Sequence, residues 1–315
     1  MASLLLFPGH GAQFADMGVR LYREDAEFAF HVDSVYTALA DRGYIALRQR
    51  WLDGAPGSSL MAAQSALMAT EYGLAMTLAS RGLMPDAVLG HSAGELVAAT
   101  AAGIVTLEGA VDILVGRAEH AATCPPGGML VAARSSQDLL SLLPADVEVA
   151  AINGPRQTML AAPTRAYAAL RDVLDAHSVT HVELATELPF HHSCMADTAR
   201  SLEKLIASTT SFGPPAPRFY SGYLGARATA VVTSSAAFWA SHLSEPVLFW
   251  NAVTAAVSDG FSDIIEIGPG TTLSTLARRA SRGTTTRVQA TLTTAQYSAS
   301  DLTDLVHRAT QFSRA

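Results

Sequence analysis

Residues 87–100 read AVLGHSAGELVAAT, and the serine at their centre sits between two glycines where a short apolar run gives way to a helix-forming one. Ala87-Val88-Leu89 has the character of a buried strand end, whereas Glu95 to Ala102 holds mostly good helix formers and is stopped by Gly103. Gly90-His91-Ser92-Ala93-Gly94 therefore fits the Gly-x-Ser-x-Gly pattern of a nucleophile elbow between strand and helix. Such a turn strains the serine backbone, lifts the hydroxyl out of the sheet and requires small flanking residues.

The surrounding pattern supplies a sheet for this elbow. Ser3–Phe7 reads as a short buried strand that Pro8-Gly9-His10-Gly11 ends in a glycine-rich turn. Helical patterns run through residues 14–52 and from Leu60 to Arg81, and Thr106–Ala122 forms another helix after the elbow. Strand alternating with helix is the rhythm of an α/β domain with a parallel sheet.

From about Gly127 the rhythm changes. Met129–Ala133 reads as a strand, Ser136–Leu143 as a helix, Val147–Ile152 and Gln157–Ala162 as strands around Asn153-Gly154-Pro155, Ala166–Ala176 as a helix and Thr180–Ala185 as a strand. That order is the β-α-β-β-α-β of a ferredoxin-like unit. The expected fold class is α/β: a large α/β-hydrolase-like domain with a parallel sheet, residues 1–126 and 188–315, carrying a small inserted ferredoxin-like subdomain, residues 127–187. Asp263–Arg279 gives the large domain its last clear strand, turn and helix.

A hydrophobic content of 49% beside 16% charged residues indicates a compact chain. A net charge of −7 is against nucleic-acid binding. Apolar stretches are broken well short of the roughly 20 residues that span a bilayer. The apolar start MASLLLFPGHGAQ has no basic leader, and Cys124 and Cys194 are too few for a disulfide scaffold, so the expected location is cytoplasmic.

A serine hydroxyl is a poor nucleophile until a base takes its proton. Of ten histidines, the best placed are His191 and His192 in Leu188-Pro189-Phe190-His191-His192-Ser193, where the inserted unit rejoins the main domain. His91 is expected to point away from Ser92 and to be structural. The oxyanion formed on attack needs fixed donors, for which the backbone N–H groups of Ala93 and His10 are candidates. Glu95, just inside the helix, is placed for the helix dipole and the exposed N–H groups of the first turn.

The motifs FPGHGAQ (7–13), GHSAGE (90–95), VGR ending at Arg117, NGPRQTMLA (153–161), PFHHSCM (189–195), SEPVLF (244–249) and EIGPGTTL (266–273) resemble those of the malonyl-CoA:acyl carrier protein transacylase family. That family includes the acyltransferase domains of polyketide synthases, and the resemblance covers roughly residues 3–300. It implies a ping-pong transfer in which Ser92 takes an acyl group from a CoA or carrier-protein thioester and passes it to the phosphopantetheine thiol of an acyl carrier protein. His191 matches the family base, with His192 as its alternative. The family orients this histidine by backbone carbonyls, and Leu248 in Pro246-Val247-Leu248 aligns with that role. Arg117 matches the arginine that grips the free carboxylate of a malonyl-type group, a task suited to a bidentate guanidinium. Phe190 resembles malonyl-selecting members, while Gln13 and Gln64 match positions near the site and read equally as polar lining or as packing groups.

Three departures stand out. The family has glutamine at His10, a larger residue at Ala93, and a different lead into the Phe-His pair than Leu188-Pro189. They leave room for an aminoacyl or larger acyl group. Arg278, Arg279, Arg282 and Arg287 lie in a segment without acidic residues between Glu266 and Asp301, a candidate docking face for an acidic carrier protein. No bound cofactor or metal is expected, the chain is read as a monomer, and an editing acyl hydrolase on the same scaffold is the competing reading.

Overall fold

A computed structural model of the chain describes residues 2–57 and 59–311. Among the described residues ten strands form two sheets. The larger has the order β10 (Arg287–Ala290), β9 (Asp263–Glu266), β1 (Ser3–Phe7), β2 (Ala87–Gly90), β7 (Arg218–Ser221) and β8 (Ala226–Arg227). All pairings in it are parallel except the edge pair β7 and β8. Its central strands are apolar without alternation because helices cover both faces. Leu5 and Phe7 of β1 pack into one core while Leu4 and Leu6 pack into the other. Each such fully buried leucine contributes about 1.5–3 kcal/mol.

The second sheet is antiparallel, in the order β4 (Glu148–Gly154), β5 (Gln157–Pro163), β3 (Gly127–Ala132) and β6 (His181–Glu183). With helices Ser136–Leu140 and Thr164–Ala176 it has the chain order and strand order of a ferredoxin-like unit. It has its own core around Leu130, Leu139, Leu160 and Leu170. The two sheets are stitched together at Val247, whose N–H donates to Ala150 O and whose carbonyl accepts from Ile152 N.

Several expectations need adjusting. The helical stretch 14–52 is three helices, Val19–Glu24, Ala26–Ala40 and Leu47–Leu52, and the helix expected to reach Leu143 ends at Leu140. Strands β7, β8 and β10 were not legible in the sequence, being four residues or fewer and rich in Arg, Ser and Gln.

Leu60–Ser80 runs through the middle of the large unit. The Ser59 side chain caps it by accepting from Ala62 N, and its residues are buried on nearly every side. Leu107–Ala121 is capped in the same way by Thr106, which accepts from Gly109 N. These two helices carry Gln64 and Arg117 to the carboxyl ends of β1 and β2. That is where open α/β sheets place their ligands, at the point where neighbouring strands diverge to opposite sides.

Candidate active site

β2 ends at Gly90, and the chain turns at once into the helix Gly94–Ala101. A Cβ on Gly90 would lie 2.1 Å from Glu95 Cα, and one on Gly94 would lie 2.2 Å from Pro8 O, so neither position admits a side chain. The turn sets Ser92 at φ 52°, in the left-handed region that an L-residue enters at a cost of about 1–3 kcal/mol.

His191 reaches the serine from the other side of the cleft. It too has a positive φ, 63°, and its Nε2 lies 2.7 Å from Ser92 Oγ. Its Nδ1 is 2.9 Å from Glu245 O. A carbonyl only accepts, so the proton sits on Nδ1 and the lone pair of Nε2 faces the serine hydroxyl. Burial pushes the His191 pKa down to about 3, against the Glu245 carbonyl and with the charge of Arg117 adding to the effect. The ring is neutral and ready to accept a proton.

The orienting carbonyl is thus Glu245, not Leu248. Leu248 N–H donates to Gly222 O and its neighbour Val247 is committed to β4, so the Pro246–Leu248 segment holds the two units together instead. His192 turns away from the cleft: its Nε2 meets Asp146 O at 3.0 Å and its Nδ1 accepts from Cys194 N. His91 also faces away from the serine hydroxyl, with Nε2 2.8 Å from Asn153 Oδ1 and its ring against Phe249. Asn153 reads in the sequence as a turn residue. It lies within β4 and ties the small sheet to the elbow.

The glycine-rich turn after β1 lies against the serine, since a Cβ on Gly9 would fall 3.3 Å from Ser92 Cβ and 2.4 Å from His91 O. Gln13 Oε1 accepts from Gly11 N at 2.8 Å and fixes this turn. Among the described residues, the amides of His10 and Ala93 donate to no other group. The half-buried His10 ring lies beside Phe190 at 6.4 Å, and desolvation followed by the charge of Arg117 lowers its pKa.

Arg117 is buried, and its Nε has no partner. Among the described residues it makes no ion pair. Burial brings its pKa down to about 10, opposed by Glu95, so it remains a cation. Glu95 does not serve its own helix. Its Oε2 accepts from Tyr223 N, and its Oε1 lies 3.8 Å from Nε2 of the equally buried His242. Burial pushes Glu95 up to about 8, against its hydrogen bonds and Arg117.

Ser92, His191, His10, Gln13, Gln64, Arg117 and Phe190 all line one cavity of about 430 Å³. The small unit contributes Met129, Val131, Asn153, Gln157 and Met159 to the same wall. Among the described residues no group of His, Cys, Asp or Glu is arranged to hold a metal. Both cysteines are free thiols, and no described helix is long and apolar enough to cross a membrane.

The expected docking face divides. Arg287 pairs with Asp263 at 2.7 Å, its register partner on the neighbouring strand, so it does not belong to a free basic face. Arg278, Arg279 and Arg282 remain exposed.

An elbow serine on a parallel sheet, a histidine held by a carbonyl and an inserted antiparallel unit define an acyl-transfer class of fold. The family model for the acyl transferase domain matches residues 4–312, and the chain belongs to that family. It is 33% identical over 271 residues to mycoketide-CoA synthase of Mycobacterium tuberculosis (strain ATCC 25618 / H37Rv), covering 85% of this chain and 6% of that protein. The acyl transferase domain of SpnD, solved in complex with 2-(pent-4-yn-1-yl)malonyl, superposes with a TM-score of 0.88 at 28% identity, over 95% of this chain and 73% of that one. FabD from Acinetobacter baumannii shares the fold, with a TM-score of 0.87 at 22% identity over 98% of both chains. The chain spans 19% or less of the length of the curated polyketide synthases it matches.

Proposed function

We propose that the protein moves an acyl group, malonyl or a close carboxylated relative, from a CoA or carrier-protein thioester to the phosphopantetheine thiol of an acyl carrier protein, in polyketide or fatty-acid synthesis. The observation that carries this reading is the buried, unpaired Arg117 in the same cavity as the Ser92–His191 pair. A buried cation with no ion-pair partner in contact is costly to a fold. A bound carboxylate restores the partner.

Ser92 Oγ attacks the thioester carbonyl carbon while His191 Nε2 takes the hydroxyl proton. The resulting oxyanion falls to the free amides of Ala93 and His10, whose donors are already in place and need no reorganisation. As the intermediate collapses, the C–S bond breaks, and the departing sulfur takes the proton from His191. An ester on Ser92 remains. In the second half, His191 removes the proton of the acceptor thiol, the thiolate attacks the ester, and Ser92 Oγ leaves with that proton. Glu245 O stabilises the imidazolium in each half and holds the ring against rotation.

Gln64, Gln13 and Phe190 line the same cavity and are the residues that would border the acyl group. A second reading, transfer of a larger acyl chain, is favoured by the cavity volume of about 430 Å³ and its apolar wall of Met129, Val131 and Met159. Incubation with a panel of acyl-CoA and acyl-carrier thioesters, followed by intact-mass measurement, separates the two. Loading by malonyl and not by uncharged long chains supports the first; the reverse preference supports the second.

A further inference from the structure

We propose that Glu95 and His242 form a buried hydrogen-bonded bridge, outside the Ser92 cavity, that sets the approach of His191 to Ser92. This rests on the reading that His191 activates Ser92, and not on which acyl group is carried. Glu95 Oε1 and His242 Nε2 face each other at 3.8 Å, both side chains are almost wholly buried, and among the described residues neither atom has a hydrogen-bond partner. Two buried polar atoms left unpaired are costly to a fold. A single proton on the line between them satisfies both, the acid donating to the imidazole lone pair as the distance closes to hydrogen-bond length.

Each end of the bridge is one step from a member of the catalytic pair. On the elbow side, Glu95 N–H donates to Ser92 O at 2.9 Å. On the other side, His242 precedes Leu243, whose carbonyl accepts from His191 N at 2.8 Å, and Glu245, whose carbonyl lies 2.9 Å from His191 Nδ1. The bridge therefore joins the elbow helix to the segment that holds the histidine. Phe238, Tyr223 and Trp239 pack against the His242 ring, with centroids at 4.9, 5.2 and 5.4 Å, and keep it from swinging away. Glu95 Oε2 is fixed by Tyr223 N. Burial raises the Glu95 carboxyl and lowers the His242 imidazole, so the pair holds its proton as a neutral unit beside the cation of Arg117. Neither residue lines the cavity, and both are positioning residues.

The test measures Tm together with the rate at which a fluorophosphonate labels Ser92, a readout of serine activation that needs no acyl donor. It compares the unaltered protein with Glu95→Leu, His242→Leu, the double variant Glu95→Leu/His242→Leu and Glu95→Gln. The control is Val35→Ala, a core truncation on the helix Ala26–Ala40, which sends no residue to the cavity. Each leucine single should label roughly ten- to a hundredfold more slowly, the loss expected when reacting groups drift by about 1 Å. The double variant should be no slower than either single, because the bridge is lost once. Its Tm should not fall below that of the less stable single, since neither side of the pair is left orphaned. Glu95→Gln, whose amide donates in place of the acid, should label within about threefold of the unaltered protein. Val35→Ala should lower Tm without slowing the label. Full-rate labelling in the double variant, multiplied losses in it, equal losses in Glu95→Gln and Glu95→Leu, or an equal loss in Val35→Ala would overturn the proposal. Failure of malonyl-CoA to acylate a protein whose Ser92 still takes the label would overturn the transfer reading alone.

Discussion

Ser92 Oγ and His191 Nε2 meet at 2.7 Å across the cleft, and both residues are held at positive φ, 52° and 63°. Backbone strain of this kind persists only where the surroundings impose it. Here they do: the elbow glycines fix the serine, while Leu243 O and Glu245 O accept from the backbone N–H and the Nδ1 of the histidine.

Burial holds His191 down to about 3, so the base stays unprotonated through mild acid. The acylation rate should therefore be flat from pH 8 to about pH 5, with no limb at the usual histidine value of about 6.5. Rapid-quench acylation at each pH checks this, and a limb near 6.5 contradicts it. Fold stability should behave differently. His91, His191 and His242 are all lowered by burial, whereas in the unfolded chain they bind protons from about pH 6.5 downward. Their stabilising share is complete above that pH and shrinks as pH falls through it.

Arg117→Met should trade function for stability. Replacing an unpaired buried cation by an apolar side chain of similar length is expected to stabilise by about 1–4 kcal/mol, read as a higher Tm. Loading with malonyl should fall by roughly a hundredfold, with an uncharged acetyl donor affected least.

Glu95 binds its proton more tightly in the fold than in the unfolded chain. The raised pKa means that its contribution is full below about pH 4.5 and is lost progressively as pH rises toward about 8. Glu95→Gln keeps the shape and cannot ionise. Its melting temperature should decline less than that of the unaltered protein between pH 5 and 8, and parallel declines would contradict the assignment.

Gly94→Ala should cost about 3 kcal/mol or more, because its Cβ would enter backbone carbonyls of Phe7 and Pro8 that cannot move without breaking β1. Gly103→Ala, whose added Cβ meets nothing within 4 Å but whose φ is 72°, should cost less. Denaturant midpoints rank the two.

The elbow was readable in the sequence because all its determinants are local: two glycines, a serine, and a helix that starts at once. The cleft histidine was found from the motif that holds it and from its place at the junction between units. Glu245 was not, since any residue offers a carbonyl and which one faces the ring depends on how the turn before Pro246 is held. Glu95 was misread as serving its own helix for a similar reason, because Tyr223, in the loop after β7, and His242, further along the chain, are the groups that face it. Arg287 looked free in a segment without acids, yet Asp263 faces it one strand away. Charge read along the chain misses charge paired across a sheet.

The most direct test of the account is intact-mass spectrometry of the protein, and of Ser92→Ala, after brief incubation with malonyl-CoA. The account predicts a stoichiometric malonyl adduct on the unaltered protein, mapped to the Ser92 peptide, discharged by a carrier-protein thiol and absent from Ser92→Ala. No adduct on the unaltered protein, or one that persists in Ser92→Ala, would contradict it.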